Sequence, residues 1–370
     1  MAGLYVHIPW CVRKCPYCDF NSHEIRTKFE EAKYVERVVA DIYDELQTHP
    51  LELKTVYFGG GTPSLFSPDS FRRILATLGD SQPTEVTMEA NPGTTEHADF
   101  ERYRKAGITR VSVGAQSFNE LHLKTLGRIH GPREAKQAIK RALTAGFDSV
   151  NVDLMYGLPD QTIAQAREDL NTATALGPHH ISWYELTIEP NTVFAKNPPK
   201  LASTDYRSEM EDAGVRLLEE NGYTRYEVSA YARNGLICEH NLNYWTFGDY
   251  IGVGAGAHGK RTTKNGIIRT AKARMPESYM NGIGGTCSQI TDSDLPVEFM
   301  MNVLRLSRGV DECLFNRRTE LPFDTIQATV DRLRSWDLMH PNRLQLTTRG
   351  LRQLNGVVAE FLSSSEISNQ

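Results

Sequence analysis

The sequence has few cysteines, no excess of positive charge and no long apolar run. It contains 6 cysteines in 370 residues and has a formal net charge of −5. This balance argues against broad nucleic-acid binding, which needs a basic surface. No run of about 18 apolar residues occurs, so no membrane span is predicted. The first ten residues lack the basic start and apolar stretch of a signal peptide, so we expect a cytosolic protein with free thiols.

Three of the six cysteines lie together near the start of the chain, at Cys11, Cys15 and Cys18. Zinc normally takes four ligands, often as two separated pairs, and no second pair follows here. An iron–sulfur cluster held by three thiolates leaves one iron open to a small molecule. The spacing therefore favours a [4Fe–4S] cluster over a structural zinc site. The other cysteines are predicted to be buried or unpaired thiols: Cys238, Cys287 and Cys313.

The first half of the chain alternates strand patterns with helix patterns. Helices are predicted over residues 28–47, 69–78, 96–106 and 163–176, with a helical region up to residue 145. The six predicted strands cover residues 4–9, 55–58, 85–90, 110–116, 149–156 and 180–188. Such alternation predicts parallel βαβ units and the α/β class. Six units form a partial (β/α)6 barrel or an open wound sheet.

The pattern changes after residue 190. A helix is predicted over residues 204–221, followed by strands and loops up to residue 259 that close against the barrel. The last part has predicted helices at 297–306 and 323–335, a hairpin at 338–348 and a helix up to 362, a winged-helix-like order. It lacks a basic helix face, so packing or docking is favoured over nucleic-acid binding. We expect three domains: 1–190, 191–290 and 291–370.

Polar residues and glycines recur where predicted strands end, and active sites of parallel barrels gather at those ends. Each has a simpler explanation as well: a tight turn for the glycines, a salt bridge for the carboxylates, or solvent exposure for the arginine. The candidates are Gly60, Gly61, Thr62, Glu89, Gln116, Arg128 and Asp153.

The run Tyr-Val-His-Ile-Pro-Trp-Cys at 5–11, with the three cysteines, resembles the radical S-adenosylmethionine (SAM) superfamily. Four further motifs are similar to its oxygen-independent coproporphyrinogen III oxidase branch: Gly-Gly-Gly-Thr-Pro at 59–63, Met-Glu-Ala-Asn-Pro at 88–92, Val-Gly-Ala-Gln-Ser-Phe at 113–118 and Asp-Leu-Met-Tyr-Gly-Leu-Pro at 153–159. The resemblance implies a partial (β/α)6 radical SAM barrel, a [4Fe–4S] cluster on the three cysteines, and SAM on the fourth iron. Further SAM contacts are expected near Thr187 and within 254–259. The family's main SAM contacts carry over to Tyr5, Gly60, Gly61, Thr62, Glu89, Gln116, Arg128 and Asp153.

The branch contains an oxidative decarboxylase of coproporphyrinogen III and a group of heme chaperones. The decarboxylase carries a further cysteine two residues after the third cluster cysteine, where this sequence has Phe20. Its long N-terminal extension has no room before Cys11. The runs Cys-Asp-Phe-Asn-Ser at 18–22 and His-Asn-Leu-Asn-Tyr-Trp at 240–245 resemble the chaperones. We therefore expect a heme chaperone without coproporphyrinogen dehydrogenase activity. The alternative is a radical SAM enzyme that acts on coproporphyrinogen III.

The resemblance implies heme as a ligand and apo-hemoproteins of the respiratory chain, including membrane-bound enzymes, as partners. A second copy of the chain is a further candidate partner. His240 is the predicted axial ligand of the heme iron, since imidazole is a common one. Tyr244 and Trp245 would stack on the porphyrin, Cys238 is the alternative ligand, and a purely structural histidine is the competing interpretation. The glycine run at 252–256 lacks the following helix of a dinucleotide site.

Overall fold

The computed structural model describes residues 2–26, 29–48, 50–79, 81–94 and 100–362. Within these ranges the strands are β1 (Ala2–Ile8), β2 (Trp10–Cys11), β3 (His23–Glu24), β4 (Leu53–Gly60), β5 (Glu85–Ala90), β6 (Arg110–Gln116), β7 (Ser149–Tyr156), β8 (His180–Glu185), β9 (Thr224–Glu227), β10 (Ala230–Ala232), β11 (Asp249–Val253), β12 (His258–Thr263), β13 (Gly266–Ala271) and β14 (Thr286–Gln289).

The helices of the same ranges surround the sheet or form the C-terminal unit. They are α1 (Glu31–Thr48), α2 (Pro68–Leu75), α3 (Phe100–Lys105), α4 (Glu120–Thr125), α5 (Pro132–Thr144), α6 (Ile163–Leu176), α7 (Val193–Lys196), α8 (Thr204–Glu220), α9 (Glu239–Trp245), α10 (Pro276–Met280), α11 (Leu295–Val303), α12 (Cys313–Thr319), α13 (Asp324–Ser335), α14 (Thr348–Leu351) and α15 (Leu354–Ala359). None of these helices is long and apolar enough to cross a lipid bilayer.

Twelve strands form one sheet in the order β14-β13-β12-β11-β1-β4-β5-β6-β7-β8-β10-β9. Its centre, from β11 to β8, is parallel throughout. Strands β12 to β14 continue antiparallel at one edge, as β10 and β9 do at the other. Within the described residues β1 pairs with β11 and β4 and not with β8, so the barrel is partial, as predicted. The predicted α/β class and all six parallel strands are confirmed, and β11 adds a seventh.

The predicted and observed bounds of helices agree best where capping residues mark both ends of the helix. Helix α6 has the predicted bounds because Thr162 caps its N-terminus and Gly177, at φ 76°, ends it in the left-handed conformation. Two predicted helices begin at residues outside the described ranges, Lys28 and Glu96. Helix α12 was not predicted. Only Phe315 and Thr319 are buried along its seven residues, which is too short a pattern to show a helical period.

The C-terminal unit is built round a second apolar cluster, which includes Phe299, Phe315 and Val330. Helices α11, α12 and α13 come first. Bridges between Val310 and Leu344 and between Met339 and Leu346 then form a small wing. Phe247 and Ile267 belong to the same apolar cluster. The sheet edge and the C-terminal unit therefore pack as continuous structure, and Arg269 of β13 forms an ion pair with Glu298 of α11.

Candidate functional site

A cavity of about 550 Å³ opens beside the cysteine loop and extends into the sheet. We call it the cluster cavity. All three clustered cysteines line it, and so does Thr187. It also brings together seven of the eight predicted SAM contacts: Gly60, Gly61, Thr62, Glu89, Gln116, Arg128 and Asp153. The parallel strands explain this convergence, since their carboxyl ends meet at one edge of the sheet.

The eighth predicted contact, Tyr5, faces a second cavity of about 820 Å³. We call this one the outer cavity. Gly256, from the predicted 254–259 contact, also lines the outer cavity. Asp19, Phe20, Gly60 and Glu89 line both cavities. The two spaces are therefore neighbours that share a wall made from the cysteine loop and strand ends.

The cysteine loop is held in place by its own lysine. The backbone N–H of Lys14 donates to Oε1 of Glu24 at 2.9 Å, and its Nζ donates to the carbonyl of Phe20 at 3.0 Å. Cys11, Cys15 and Cys18 are free and half-buried. Burial raises the pKa of the Cys11 and Cys18 thiols. Iron binding must therefore displace their protons, as metal binding to thiols does generally.

The three thiols are a donor set of the kind that holds an iron–sulfur cluster. Among the described residues no three His, Cys, Asp or Glu side chains converge closely enough to hold one metal ion. A [4Fe–4S] cluster takes one thiolate per iron, so its sulfur ligands do not have to converge on a point. Arg128 adds a positive charge there, since Nη1 donates to Sγ of Cys15 at 3.5 Å and Nη2 to the Gly114 carbonyl at 2.7 Å.

The glycine loop after β4 needs glycine for steric reasons. Gly60 has φ +112°, and a Cβ there would lie 2.5 Å from Cε1 of His7. A Cβ on Gly61 would lie 2.5 Å from the Trp10 carbonyl oxygen. The N–H groups of Gly61 and Thr62 donate to the carbonyls of Ile8 and Trp10 at 2.7 and 2.8 Å. The loop is thus fixed against the strand that leads into the cysteines, and its glycines make room for His7 and Trp10.

Glu89 at the end of β5 is a buried carboxyl group within the wall shared by the cavities. Tyr57 donates its hydroxyl to Oε1 at 2.9 Å, and the Gly60 N–H donates to Oε2 at 3.1 Å. Burial, together with the nearby Asp153 carboxylate, raises the pKa of Glu89 to about 7. The group can therefore accept hydrogen bonds from a ligand hydroxyl as a carboxylate or donate one as an acid at neutral pH.

Asp153 lies deeper in the cluster cavity and belongs to a polar network. Ser112 and Asn151 each donate a hydrogen bond of 2.7 Å to its carboxylate. Burial raises the pKa of Asp153, against the opposing effect of these hydrogen bonds. Asn151 is in turn hydrogen-bonded to His180 at 2.6 Å. The network fixes the direction of the carboxylate toward the cavity.

Gln116 ends β6 in a conformation that residues other than glycine seldom adopt. Its φ is +67°, and the pairing with β7 shifts register between Gly114 and Gln116. Such a bulge re-aims a side chain beside a functional site. The hydroxyl of Tyr184 donates to Oε1 of Gln116 at 2.7 Å, which holds the amide at the cavity wall.

His240 does not lie on either cavity. Its side chain is fully buried, with Nδ1 2.8 Å from Oγ1 of Thr55 and Nε2 2.9 Å from the Tyr244 hydroxyl. Burial lowers the pKa of His240 to about 3. Axial ligation needs a free ring nitrogen, and the described neighbours occupy both. These contacts are those of the structural interpretation of His240, and its role as a heme ligand stays a prediction. Cys238 is also fully buried, beside Glu85.

Several residues of the cluster cavity were not predicted. Tyr17 and Tyr184 carried no motif, although Tyr184 lies on a predicted strand. Arg110 begins β6, at the end of the sheet away from the expected site, yet the cavity reaches it. Asn151 could have been predicted from the sequence. It precedes Asp153 by two residues in β7, so both side chains lie on the same face of the sheet. The unpredicted lining residues include Tyr17, Arg110, Ser112, Asn151, Ser182, Tyr184 and Asn241.

Comparison with known proteins connects this geometry to a family. The model of the radical SAM superfamily matches residues 5–173. Heme chaperone HemW of Escherichia coli (strain K12) is 45% identical over 370 residues, covering 98% of this chain and 98% of that protein. Heme chaperone HemW of Bacillus subtilis (strain 168) is 34% identical, covering 98% and 99%.

A solved structure shares the fold. The structure of coproporphyrinogen III oxidase (HemN) from Escherichia coli, a radical SAM enzyme, superposes with a TM-score of 0.81. The match covers 97% of this chain and 89% of that chain at 20% identity. At this identity the likeness shows the α/β radical SAM fold and does not transfer an activity.

Proposed function

This chain belongs to the HemW family of the radical SAM superfamily, and on that premise we propose that it is a heme chaperone, which binds heme and delivers it to apo-hemoproteins. The observation that carries the proposal is the 45% identity to a heme chaperone over 98% of both chains. The match includes the cysteine loop, the sheet and the C-terminal unit. A relative with this coverage shares the whole architecture and not only a cofactor module.

We propose that Cys11, Cys15 and Cys18 hold a [4Fe–4S] cluster. The cluster supplies an iron with an open position, at which SAM can chelate through its amino and carboxylate groups. The chain's own part is to exclude water from the half-buried thiols and to place the Arg128 guanidinium beside Cys15. This positive charge offsets the negative charge of the thiolates.

The predicted SAM contacts support a ligand of mixed polarity. Gly60 and Gly61 line the cavity without side chains. Glu89 and Asp153 offer hydrogen-bond acceptors for hydroxyl and amino groups, and Gln116 contributes an amide whose direction Tyr184 fixes. A cavity of about 550 Å³ falls in the usual range for small-molecule sites, about 300–1,000 Å³.

The second candidate function is oxidative decarboxylation of coproporphyrinogen III. Phe20 argues against it, because it stands where the decarboxylases have a further cysteine. Its ring is 57% exposed between the two cavities and offers no thiolate. The fold likeness to HemN does not favour this activity over the chaperone.

One anaerobic experiment tests the proposal. The cluster is reconstituted, and the protein receives either heme or coproporphyrinogen III with SAM and a reductant. We expect stoichiometric heme uptake, transfer of that heme to an apo-hemoprotein, and no decarboxylated product. Catalytic formation of protoporphyrinogen would contradict the chaperone assignment.

We further propose that the clients belong to the respiratory chain, that some are membrane-bound, and that the protein works in the cytosol. The free thiols of the cysteine loop suit a reducing compartment. Transfer from the heme-loaded protein to purified apo-forms of respiratory enzymes, compared with an unrelated apo-hemoprotein, tests the client class. Light scattering with and without the reconstituted cluster tests the predicted homodimer.

A further inference from the structure

The outer cavity has the size and lining of a tetrapyrrole site. It lies between the ends of β1, β12 and β13 on one side and α11 on the other, with a volume of about 820 Å³. That value lies in the upper part of the usual range for ligand sites, about 300–1,000 Å³. A cargo site in this cavity rests on the proposed function, because a heme chaperone must hold heme somewhere on its surface.

Two large apolar side chains at this cavity are left open to solvent. Phe20 is 57% exposed and Met301 is 52% exposed. Trp245 and Tyr250 lie further inside the same lining and are half-buried. Scattered exposed apolar residues are common on proteins, but aromatic and thioether groups gathered round one cavity favour a flat apolar ligand.

Four basic residues line the outer cavity, and three of them already have acidic partners. Lys260 pairs with Asp249, Arg269 with Glu298, and Lys272 with Asp41 and Glu45. The exposed guanidinium of Arg274 makes no ion pair with any residue in the described ranges. Arginine is well suited to bind a carboxylate through two hydrogen bonds. Arg274 is thus available for a propionate of the ligand, while Asp19 and Glu89 place negative charge toward the shared wall.

Two histidines line the cavity, and only one has a ring open to a metal. His7 is buried, with Nδ1 3.0 Å from the Tyr5 hydroxyl and Nε2 2.9 Å from the Asn21 carbonyl oxygen. His258 begins β12 and is exposed. Its ring forms no hydrogen bond with the part of the chain that the structure describes. An imidazole nitrogen without another partner can donate a lone pair to heme iron.

We propose that heme binds in the outer cavity with His258 as an axial ligand of its iron and with Arg274 at a propionate. The macrocycle lies against Phe20 and Trp245. Because Phe20 and Asp19 belong to the cysteine loop, the cargo shares a wall with the cluster cavity. The buried His240 takes no part in ligation and instead fixes α9, which carries Trp245.

Heme titration of the full-length protein tests the axial ligand. Wild type is expected to give the Soret band of a histidine-ligated ferric heme. His258→Ala is expected to weaken heme binding about tenfold or more, equivalent to about 1.4 kcal/mol or more, and to shift the Soret band away from that position. Added imidazole, which replaces the missing ligand, should reverse the shift. The exposed His340→Ala in the C-terminal unit is the matched control and should leave both readouts unchanged.

The propionate contact has a test that uses the ligand itself. Arg274→Gln should weaken binding of heme but not of heme dimethyl ester, which lacks the carboxylates. Arg308→Gln, at an exposed arginine of the C-terminal unit, should not distinguish the two ligands. An equal response of Arg274→Gln to both ligands would overturn the propionate assignment.

The outcomes separate the site from the function. If wild type takes up heme and transfers it, but His258→Ala keeps the wild-type affinity and spectrum, the proposed site is wrong and the chaperone function stands. If wild type neither binds nor transfers heme, the proposed chaperone function is contradicted, and the proposed heme site falls with it. Loss of the histidine-ligated Soret band in a folded His240→Ala variant, with His258→Ala unaffected, would assign the ligand to His240 instead.

Discussion

The imidazole of His240 is hydrogen-bonded to the hydroxyl of Thr55, with Nδ1 and Oγ1 2.8 Å apart in the protein interior. This bond connects α9 to β4. The second nitrogen is hydrogen-bonded to Tyr244 one helical turn away. The ring packs so closely on β1 that a Cβ at Gly3 would lie 3.0 Å from its Cε1. His240 therefore fixes the helix that carries Trp245 to the outer cavity.

The first prediction concerns the stability effect of this histidine. His240→Ala removes a partner of the buried Thr55 hydroxyl and of the half-buried Tyr244 hydroxyl and opens a cavity, so it should lower the free energy of unfolding by about 3 kcal/mol. Urea unfolding followed by circular dichroism measures the change. His340→Ala, exposed, should stay within about 0.5 kcal/mol of wild type. If His240→Ala lowers the free energy of unfolding no more than His340→Ala does, the hydrogen bonds of His240 are not formed in solution.

The second prediction concerns the glycine loop. Gly60→Ala must accept a φ of +112° and a Cβ only 2.5 Å from His7. Gly146 is the matched control, since it has φ +80° but no heavy atom within 4 Å of the place that a Cβ would take. Backbone strain alone costs about 1–2 kcal/mol, so Gly146→Ala should lose about that much stability and Gly60→Ala more.

The same pair of variants tests the cluster cavity. Equilibrium dialysis of SAM against the reconstituted protein should show loss of binding for Gly60→Ala and none for Gly146→Ala. Equal unfolding free energies for the two variants would mean that His7 moves away without cost. Retention of SAM binding by Gly60→Ala would remove Gly60 from the proposed contacts.

The third prediction follows from the raised pKa of Glu89. Its pKa is about 7 in the fold and 4.5 in the unfolded reference, so the native state keeps a proton that the unfolded chain releases. The stability contributed by that bound proton is present below pH about 4.5 and is lost as the pH rises to about 7. The loss is about 3 kcal/mol across this window.

Glu89→Gln removes the titratable carboxyl group and so tests the predicted direction of the pH dependence. The unfolding free energy of the variant minus that of wild type should increase between pH 4.5 and 7 and then stay constant. Glu101→Gln, at an exposed glutamate, should show no such trend. A difference that decreases with pH would mean that the carboxylate form is the one stabilised by Tyr57 and Gly60.

The sequence identifies the residues at the strand ends better than the other residues that line the cluster cavity. Gly60, Glu89 and Gln116 were predictable together because parallel strands bring their carboxyl ends to one edge. Arg110 was not, because it begins its strand, and no pattern in the sequence tells how deep a cavity reaches. The bulge at Gln116 is likewise invisible, since only the register with β7 reveals it.

His240 and His258 also show that tertiary contacts cannot be predicted from local sequence patterns. His240 lies in a sequence motif, and His258 is the first residue of β12. Neither pattern shows whether the side chain is buried or which hydrogen bonds it makes. Burial of His240 depends on the packing of the seven-residue helix α9 against β1 and β4, which are distant in sequence. His258 begins β12 and is exposed there. Tertiary contacts decide which nitrogen is free.

The fourth prediction uses the wall that the two cavities share. Phe20 is 57% exposed and follows the third cluster cysteine by two residues. Phe20→Ala removes a surface ring, so its unfolding free energy should stay within about 0.5 kcal/mol of wild type. The variant keeps all three thiols and should assemble the cluster with unchanged visible absorption. Heme affinity should fall, since the macrocycle loses the aromatic face against which it lies.

Leu121→Ala is the matched control, because Leu121 is 71% exposed on α4 and lines neither cavity. It should change neither cluster content nor heme affinity. A Phe20→Ala variant that loses the cluster would show that the ring supports the cysteine loop. A variant that keeps both the cluster and the wild-type heme affinity would place the cargo away from the shared wall. Loss of heme affinity alone is the result that a cargo site beside the cluster requires.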